Sequence, residues 1–548
     1  MLPFGTMWRW ARRGVNALLC SVFAVASITL LARIVAGFLS PLPASRGLLN
    51  ASSVAFLAFI FLTISYGRSS AAVKRISSQN YGALALGVIG AVAVVSYLPS
   101  LRDPFLFDDY THLSNAARLT WSEMLASALF THPAAGDPFF RPLGYISYWL
   151  DYRWAGYHSE RWHLWNVLVH AANSILVYLF SRQLPLSRRG SIFAALVFAV
   201  HASHAEATGW MAARFDLFAF LFSLLALIAL NQFLNQRRPV WLAAMVLATL
   251  LAVLSKESAY CLPLMALCLI PFRRVDALKI ATPAGVMAAV CVSAFLYRGW
   301  FLGGIGGYTT DHGTPAILNF HALGTLNALL FRMWGLLLVP LNWSVPPGTW
   351  LILASAFMLL AAALFLVVSR ADRSRLLASL GLILAAALPV QHLLLIGPDF
   401  AGARVLYLPT LGLALFWGVV LEGCDNSRLA FVLCTCVLLF QWGALQHNLR
   451  LRTQTAQLSR RACLAIGEEL RRDPRPILAG GLPRTWNGVY FLSTGFIPCV
   501  AIQSGMPQFA GELYVDPAIA AAAARPPQRT FMWSAAAQTL VETRPPVR

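Results

Sequence analysis

Charge is scarce in this chain. Charged residues make up 12% of its 548 residues, only 22 are acidic, and lysine occurs at just three positions. Hydrophobic residues make up 58%, and the mean hydropathy is +0.65, which together exclude an ordinary soluble globular protein. The net charge of +20 does not indicate nucleic acid as a partner, because the basic residues are spread through short loops between apolar segments.

Cysteine patterns typical of a metal site are also missing. The nine cysteines show no metal-ligand spacing, and most of them lie in hydrophobic runs, where cysteine behaves as a small apolar residue. Cys463 and Cys499 differ because they lie in a polar C-terminal tail. They can form a disulfide if that tail occupies an oxidising compartment.

What the sequence has in abundance is apolar runs of roughly 20 residues, the length that crosses about 30 Å of hydrocarbon. They predict an all-α polytopic membrane protein with about 13 transmembrane helices. The predicted spans are residues 14–39, 51–67, 81–99, 163–181, 190–208, 215–234, 239–255, 258–272, 280–298, 349–369, 376–397, 404–422 and 428–446. The first run is too long for a signal peptide, so it is interpreted as a retained anchor.

Loop charge predicts how these spans are oriented. Short loops rich in arginine or lysine are expected in the cytoplasm, together with the N-terminus. These loops are residues 9–13, 68–75, 182–189, 237–238, 273–279 and 370–375. The apolar stretch 323–341 breaks the alternation if it crosses, so it is expected to lie in the outer interface or to re-enter the membrane. The loop 100–162 and the tail then lie outside.

Three regions follow from this pattern. Residues 1–80 are expected to form N-terminal anchor helices, residues 81–446 a transmembrane domain with the outer loop 100–162, and residues 447–548 a small extracytoplasmic domain. In that last region a helical pattern at 453–472 precedes short β-like runs, which predicts a modest α/β unit. The Ala/Pro-rich stretch 517–528 is expected to be a flexible excursion.

Two adjacent carboxylates, Asp108 and Asp109, are the strongest functional signal. They lie at a predicted membrane border among aromatic residues, where acidic groups are costly unless they have a function. Two solvated turn residues would give the same pattern.

Further polar residues are predicted on the same outer side. They are His201, His204, Glu206, Arg214, Asp216, Lys256, Glu257, Asp399 and Arg404, and they are expected to surround a polar cavity or simply to lie at water level.

A polar stripe also runs along the span that begins at residue 163. His163, Asn166, His170 and Asn173 recur at helical spacing. We interpret His170 and Asn173, which lie deeper, as interhelical hydrogen-bonding residues, and His163 as a residue at the mouth of the cavity.

Collinear motif blocks resemble the GT-C glycosyltransferases that use a polyprenyl-phosphate sugar, especially the protein O-mannosyltransferases and their tetratricopeptide-bearing relatives. The blocks are PFLFDDYTHL (104–113), FRPLGYISYWLDY (140–152), WHLWNVLVHAANSILVYLF (162–180), FAVHASHAEATGWMAARFDLFAFLF (198–222), LSKESAYCLPL (254–264) and RVLYLPTLGLAL (404–415). Two departures stand out. Ala403-Arg404-Val405 replaces the usual Glu-Arg-Tyr, and no tetratricopeptide repeats follow the last span.

The resemblance implies a GT-C-like fold and an inverting sugar transfer in which Asp108 is the general base. Asp109 is then expected to position the acceptor, the backbone or a metal. It also implies that Arg404, Arg141, Arg214 and Lys256 bind the donor phosphate, with Lys256 neutralised by Glu257 as an alternative. Substrate-cavity residues would be His163, His201, His204, Glu206, Glu257 and Tyr407.

A divalent metal ion held by His201, His204 and Glu206 is an open possibility, which the i, i+3, i+5 spacing supports only weakly. The implied partners are an undecaprenyl- or dolichyl-type phosphate sugar, membrane lipid, and an acceptor protein or glycan. The implied location is the bacterial inner membrane. Two other functions fit the composition: a transporter or flippase of lipid-linked sugar, and a non-catalytic membrane scaffold.

Overall fold

The computed structural model describes residues 78–130, 138–274, 276–308, 322–368, 370–393, 400–424, 427–505, 511–514, 517–523 and 528–543. The predicted spans 14–39 and 51–67 lie outside the described residues.

The described residues before 473 are helical. Its α-helices are α1 (Ser78–Tyr97), α2 (Asp109–Arg118), α3 (Trp121–Leu129), α4 (Pro142–Ala155), α5 (Ser159–Gln183), α6 (Arg188–Val200), α7 (His204–Gly209), α8 (Arg214–Gln236), α9 (Pro239–Ser255), α10 (Leu262–Leu267), α11 (Ile270–Arg273), α12 (Ala277–Leu302), α13 (Ala322–Asn327), α14 (Met333–Leu338), α15 (Thr349–Val368), α16 (Arg373–Ala387), α17 (Thr410–Glu422) and α18 (Ser427–Arg472).

Among the described residues, short 3₁₀ turns and one π-helical turn connect them. The 3₁₀ turns are Leu98–Ser100, Met211–Ala213, Glu257–Cys261, Leu388–Leu393 and Ala403–Leu406, and the π turn is Ala328–Arg332.

Within the described residues, six helices are long and apolar enough to cross a membrane. They are Gly82–Ser100, Ser159–Gln183, Met211–Gln236, Ala277–Leu302, Arg373–Gln391 and Leu429–Arg472. Shorter apolar helices lie at Pro239–Ser255, Ala322–Leu338, Thr349–Leu360 and Thr410–Glu422. The predicted count of about 13 crossings is therefore not confirmed.

Several predicted spans are interrupted. The span 190–208 stops at Val200 because the chain turns at His201–Ser203, where the Ser203 hydroxyl lies 2.8 Å from His201 Nδ1. The span 258–272 divides into a 3₁₀ turn, α10 and α11, each α-helix starting with a proline in its first turn. The span 428–446 instead continues through the predicted domain boundary as the 46-residue helix α18.

One end of the bundle brings together loops that were predicted to share the cytoplasmic face. Arg273 donates to Gln183 O (3.2 Å), and Arg375 donates to Pro185 O (2.8 Å). Arg274 pairs with Asp372 at 2.9 Å. Loops separated by long stretches of sequence therefore meet at one end, as the predicted alternation requires.

The C-terminal unit is a small α/β structure, as the sequence predicts. Its elements are β1 (Ile477–Gly480), β2 (Thr485–Trp486), β3 (Val489–Tyr490), α19 (Phe496–Ser504), β4 (Gly511–Tyr514), α20 (Pro517–Ala523), β5 (Arg529–Ser534) and β6 (Thr539–Thr543). Strand β1 is parallel to β4 and β5, β6 is antiparallel to β5, and β2 and β3 form a hairpin. Helix α20 occupies part of the stretch expected to be a flexible excursion.

Two contacts fix this unit to the rest of the chain. A disulfide joins Cys463 on α18 to Cys499 on α19, which confirms the expected pairing. A single apolar core also contains Phe105, Tyr110 and Trp162 from the membrane domain together with Phe496 and Phe531 from the C-terminal unit. The unit therefore folds against the loop that carries the two aspartates.

Candidate active site

Asp108 and Asp109 are held at the start of α2 by an unusual backbone. The preceding residue, Phe107, has φ +54°, a left-handed conformation that is uncommon for a bulky side chain. Asp109 is fully buried: its Oδ2 accepts from Leu106 N (3.0 Å) and its Oδ1 from Ala212 N (2.8 Å). Asp109 therefore positions the backbone, which is one of the three roles that the sequence left open.

Burial also changes the acidity of Asp109. Desolvation raises the pKa of its carboxyl group to about 7, although the two N–H donors and the positive charge of Arg452 act in the opposite direction. Its neighbour Asp108 is only half-buried and accepts a hydrogen bond from the Thr494 hydroxyl. The two aspartates thus have different environments.

An aromatic cluster links Asp108 to Arg404. The Phe107 ring stacks on Tyr490 with 5.0 Å between centroids and lies 5.8 Å from Trp210. The Arg404 guanidinium lies over the same two rings, 4.9 Å from the Trp210 centroid and 5.5 Å from that of Tyr490. Arginine binds favourably to such π faces.

Arg404 is also paired with a carboxylate from another part of the chain. Its Nη1 donates to Glu206 Oε1 at 2.8 Å, and Glu206 additionally accepts from the backbone N–H groups of Gly402 and Arg404. Glu206 thus provides the carboxylate partner of Arg404. Neither of the residues next to Arg404 in the sequence, Ala403 and Val405, has a carboxylate. The second guanidinium nitrogen, Nη2, lies 3.4 Å from the Tyr308 hydroxyl.

Tyr308 belongs to the wall of a cavity of about 640 Å³. One part of the wall is apolar and comes mainly from α10, α12 and the 388–390 turn. Its residues there include Pro263, Leu264, Ala288, Val292, Phe295 and Leu388. The other part is polar, with Arg141, Lys256, Glu257, Arg298 and Tyr308. The cavity is therefore amphipathic.

The charges of the polar wall are arranged in pairs. Arg141 Nη2 donates to Glu257 Oε2 at 2.8 Å, and Arg298 Nη2 lies 3.7 Å from Glu257 Oε1. Lys256 Nζ lies 2.6 Å from both oxygens of Asp216. The alternative that Glu257 neutralises Lys256 is therefore wrong, because the 3₁₀ turn directs these adjacent side chains to different partners.

Arg214 does not fit the predicted phosphate-binding set. It is fully buried, and its guanidinium donates to Asp151 Oδ2, Asn166 Oδ1 (2.8 Å) and Ser147 Oγ (3.3 Å). With these acceptors the buried guanidinium of Arg214 has no exposed surface that could contact a lipid phosphate. Arg214 is a structural residue of the bundle.

His201, His204 and Glu206 do not converge on one point. His201 Nε2 lies 2.9 Å from Leu337 O, His204 Nε2 lies 2.8 Å from Thr410 Oγ1, and Glu206 binds Arg404. Among the residues that the structure describes, no group of three or more His, Cys, Asp or Glu side chains could hold a metal ion. In this structure the three side chains therefore contact three different partners, and neither histidine lines the cavity beside Tyr308.

The polar stripe of α5 is a hydrogen-bonding seam. His170 Nδ1 lies 2.7 Å from the Tyr407 hydroxyl, and Asn173 Nδ2 donates to the same oxygen at 3.2 Å. The structural interpretation of His170 and Asn173 is confirmed. Tyr407 and His163 were expected at the cavity, but both are buried in protein, His163 with its Nε2 3.1 Å from Asp103 O.

Sequence reasoning missed four residues of this region. Arg298 lies near the end of a predicted span, and an arginine there is a recognisable functional signal. Tyr308, Tyr490 and Thr494 have no comparable signal, because only the packing of distant segments places them here.

Comparison with known proteins bears on the motif resemblance. The protein O-mannosyl-transferase Tmtc1 of Drosophila melanogaster is 32% identical over 177 residues, which is 31% of this chain and 20% of that protein. The protein O-mannosyl-transferase TMTC4 of Mus musculus is 25% identical over 398 residues, 59% of this chain and 54% of that protein. The resemblance to protein O-mannosyl-transferases is confirmed.

The matches have defined limits. The chain spans about half the length, or less, of these protein O-mannosyl-transferases. No protein-family model matches it. Among solved structures, the apo oligosaccharyltransferase of Archaeoglobus fulgidus aligns with this chain at a TM-score of 0.42 and 11% sequence identity. The alignment covers 81% of this chain and 65% of the oligosaccharyltransferase.

Proposed function

We propose that this chain is a membrane glycosyltransferase of the GT-C type. It transfers a sugar from a polyprenyl-phosphate donor to an acceptor hydroxyl on the outer face of the membrane, with inversion at the anomeric carbon. The named activity of its protein O-mannosyl-transferase relatives supports the reaction class. The observation that carries the proposal is the amphipathic cavity beside Arg404.

The cavity matches the two chemical halves of such a donor. Its volume of about 640 Å³ lies within the range typical of ligand pockets. The apolar wall suits an isoprenoid chain, whereas the polar wall suits a phosphate. Undecaprenyl and dolichyl chains share this chemistry.

The charge balance also suits a lipid phosphate. Four cations, Arg141, Lys256, Arg298 and Arg404, are paired with the three carboxylates Glu257, Asp216 and Glu206. One positive charge is left over for the singly charged phosphodiester of the donor. It also stabilises the additional negative charge that develops as the phosphate leaves.

The reaction needs a base more than an acid. The acceptor oxygen forms a bond to the anomeric carbon, the bond from that carbon to the phosphate oxygen breaks, and the acceptor proton passes to Asp108. A phosphate leaving group needs little protonation, so one carboxylate is enough. Asp108 is the aspartate suited to this role, because Asp109 is buried and occupied with backbone N–H groups.

The acceptor is a hydroxyl of a protein or a glycan, and the chain is proposed to be a multi-pass protein of the bacterial inner membrane. Its N-terminus faces the cytoplasm and its C-terminal unit the periplasm. The Cys463–Cys499 disulfide supports this orientation, because disulfides persist in oxidising compartments.

The test is turnover of radiolabelled polyprenyl-phosphate sugars by the purified chain in lipid nanodiscs. We expect the wild type to release polyprenyl phosphate and to label an acceptor. Asp108→Asn should lower kcat by at least roughly a hundredfold while leaving donor binding intact, as expected for loss of a general base. Glu160→Gln, an exposed carboxylate in the first turn of α5, is the matched control and should be unaffected.

Two results would redirect the assignment. If the wild type moves labelled donor across the bilayer without consuming it, and Asp108→Asn does the same, the chain is a transporter of lipid-linked sugar. If no donor is bound at all, it is a scaffold.

A further inference from the structure

The C-terminal unit touches the proposed catalytic carboxylate directly. Thr494 lies in the loop between β3 and α19, and its hydroxyl donates a hydrogen bond to Asp108 Oδ1. The two residues are 386 positions apart in the sequence. The contact therefore joins the proposed base to a part of the chain that no motif block covers.

The next residue fixes how closely this loop approaches. A Cβ added at Gly495 would lie 1.9 Å from the carbonyl oxygen of Phe107. Glycine is required here for space, since its φ of −95° is open to any residue. Phe107 is the left-handed residue that immediately precedes Asp108, so Gly495 packs against the backbone that sets the direction of that carboxylate.

Tyr490 is a third contribution from the same unit. Its ring stacks on the Phe107 ring, and the Arg404 guanidinium lies over it, 5.5 Å from its centroid. Tyr490 thus contacts both the residue that precedes the proposed base and the arginine that reaches Tyr308 on the cavity wall.

Several contacts attach the unit to the bundle close to the aspartate loop. Helix α18 continues without a break from the bundle into the unit, and on it Thr453 donates to Asp103 Oδ2 at 2.9 Å. The disulfide joins α18 to α19, the helix that begins directly after Gly495. The shared apolar core fills the space between α19 and the aspartate loop.

We infer that the C-terminal unit is part of the active centre, with Thr494 as a positioning residue for Asp108 and Gly495 as the spacer that allows the contact. This inference rests on the proposed function. A donated hydrogen bond restricts the rotation of the Asp108 carboxylate and holds it for proton transfer from the acceptor.

The decisive variants remove one feature each. Thr494→Val deletes the hydroxyl, and Thr494→Ser keeps it. Gly495→Ala adds a single methyl group against Phe107 O, while Gly285→Ala, in open space on α12, is its matched control. We expect Thr494→Val and Gly495→Ala to lower kcat roughly ten- to a hundredfold, the usual range for a hydrogen bond to a charged group, with little change in donor KM. Thr494→Ser and Gly285→Ala should retain most of the activity.

A second readout does not depend on activity. The N–H groups of Asp109 and His112 donate to Leu106 O and Asp108 O. Hydrogen–deuterium exchange at residues 106–112 should therefore be faster in Thr494→Val and Gly495→Ala than in the wild type, and unchanged in the two controls. Unchanged exchange in Thr494→Val would overturn the positioning role.

The two readouts separate the two proposals. An active wild type, an inactive Asp108→Asn and a fully active Thr494→Val would leave the glycosyltransferase proposal standing and remove this inference. If the wild type turns over no donor, the proposed function fails, and exchange alone decides whether Thr494 positions the aspartate loop.

Discussion

At the scale of single residues, the protein separates structural charges from charges that face the cavity. Arg214 and Asp151 form a buried pair, whereas Arg141, Lys256 and Glu257 line the cavity wall. All of these residues are charged and all lie near the same end of the helices. What distinguishes them is the partner that each one meets and whether it lines the cavity, neither of which residue type reveals.

The Arg214–Asp151 pair gives a prediction at this scale. Arg214→Met should lower the free energy of unfolding by about 3–5 kcal/mol, because it leaves the Asp151 carboxylate buried without its partner. Removing both charges in Arg214→Met/Asp151→Leu should recover most of that loss. Thermal unfolding in detergent measures the effect.

Arg161→Met serves as the control, because Arg161 lies on the same helix as Asn166 but is exposed. If Arg214→Met were as stable as the wild type and instead raised the donor KM, Arg214 would belong to the donor site after all.

At the scale of elements, α12 shapes the cavity. Its N-terminus is capped by Asp276, whose side chain accepts from Leu278 N, and it ends at Gly303, which has φ +67°. Between these ends, Ala288 and Val292 face the cavity and Arg298 reaches Glu257. One helix therefore supplies part of both the apolar and the polar wall.

Filling the apolar wall should block long-chain donors. Ala288→Trp places a large side chain in the cavity, and we expect at least a tenfold increase in KM for a long polyprenyl-phosphate sugar, because the isoprenoid chain loses its space. A short-chain, water-soluble donor analogue should be less affected.

Ala289→Trp is the matched control for that experiment. Ala289 adjoins Ala288 on the same helix, but it is exposed and does not line the cavity. Equal losses in the two tryptophan variants would show that the cavity does not hold the lipid.

At the scale of the whole molecule, the two ends of the bundle are built differently. One end is tied together by arginines that donate to loop carbonyls and pair with carboxylates. The opposite end carries the aspartate loop, the aromatic cluster and the C-terminal unit. The proposed reaction then takes place on one side of the membrane only.

Accessibility labelling checks this orientation. In a chain that keeps only Cys463 and Cys499, a new cysteine at Glu160 should react with a membrane-impermeant maleimide in intact cells. A cysteine at Lys279 should react only after the membrane is permeabilised, because it belongs to a loop predicted in the cytoplasm. The opposite pattern would place Asp108 in the cytoplasm and defeat the proposed function.

Composition and local pattern were sufficient for part of this picture. Apolar runs and loop charge depend on nearest neighbours along the chain. They located α5, α8 and α12, and they grouped the basic loops 182–189, 273–279 and 370–375, which meet at one end of the bundle. The same local pattern predicted helix bounds wrongly in two situations. The chain turns inside an apolar run at His201–Ser203, and α18 continues as a helix beyond the end of its apolar segment.

The sequence by itself determined that the chain has membrane-length apolar helices, an acidic doublet at a border and motif blocks in a family-specific order. Only the tertiary structure decided which charged side chains form ion pairs with each other. Lys256 pairs with Asp216, 40 positions away, instead of its neighbour Glu257, and Arg404 pairs with Glu206, 198 positions away. The physical reason is that an ion pair forms between side chains brought within about 4 Å, and that distance is set by the packing of helices and not by their order in the chain.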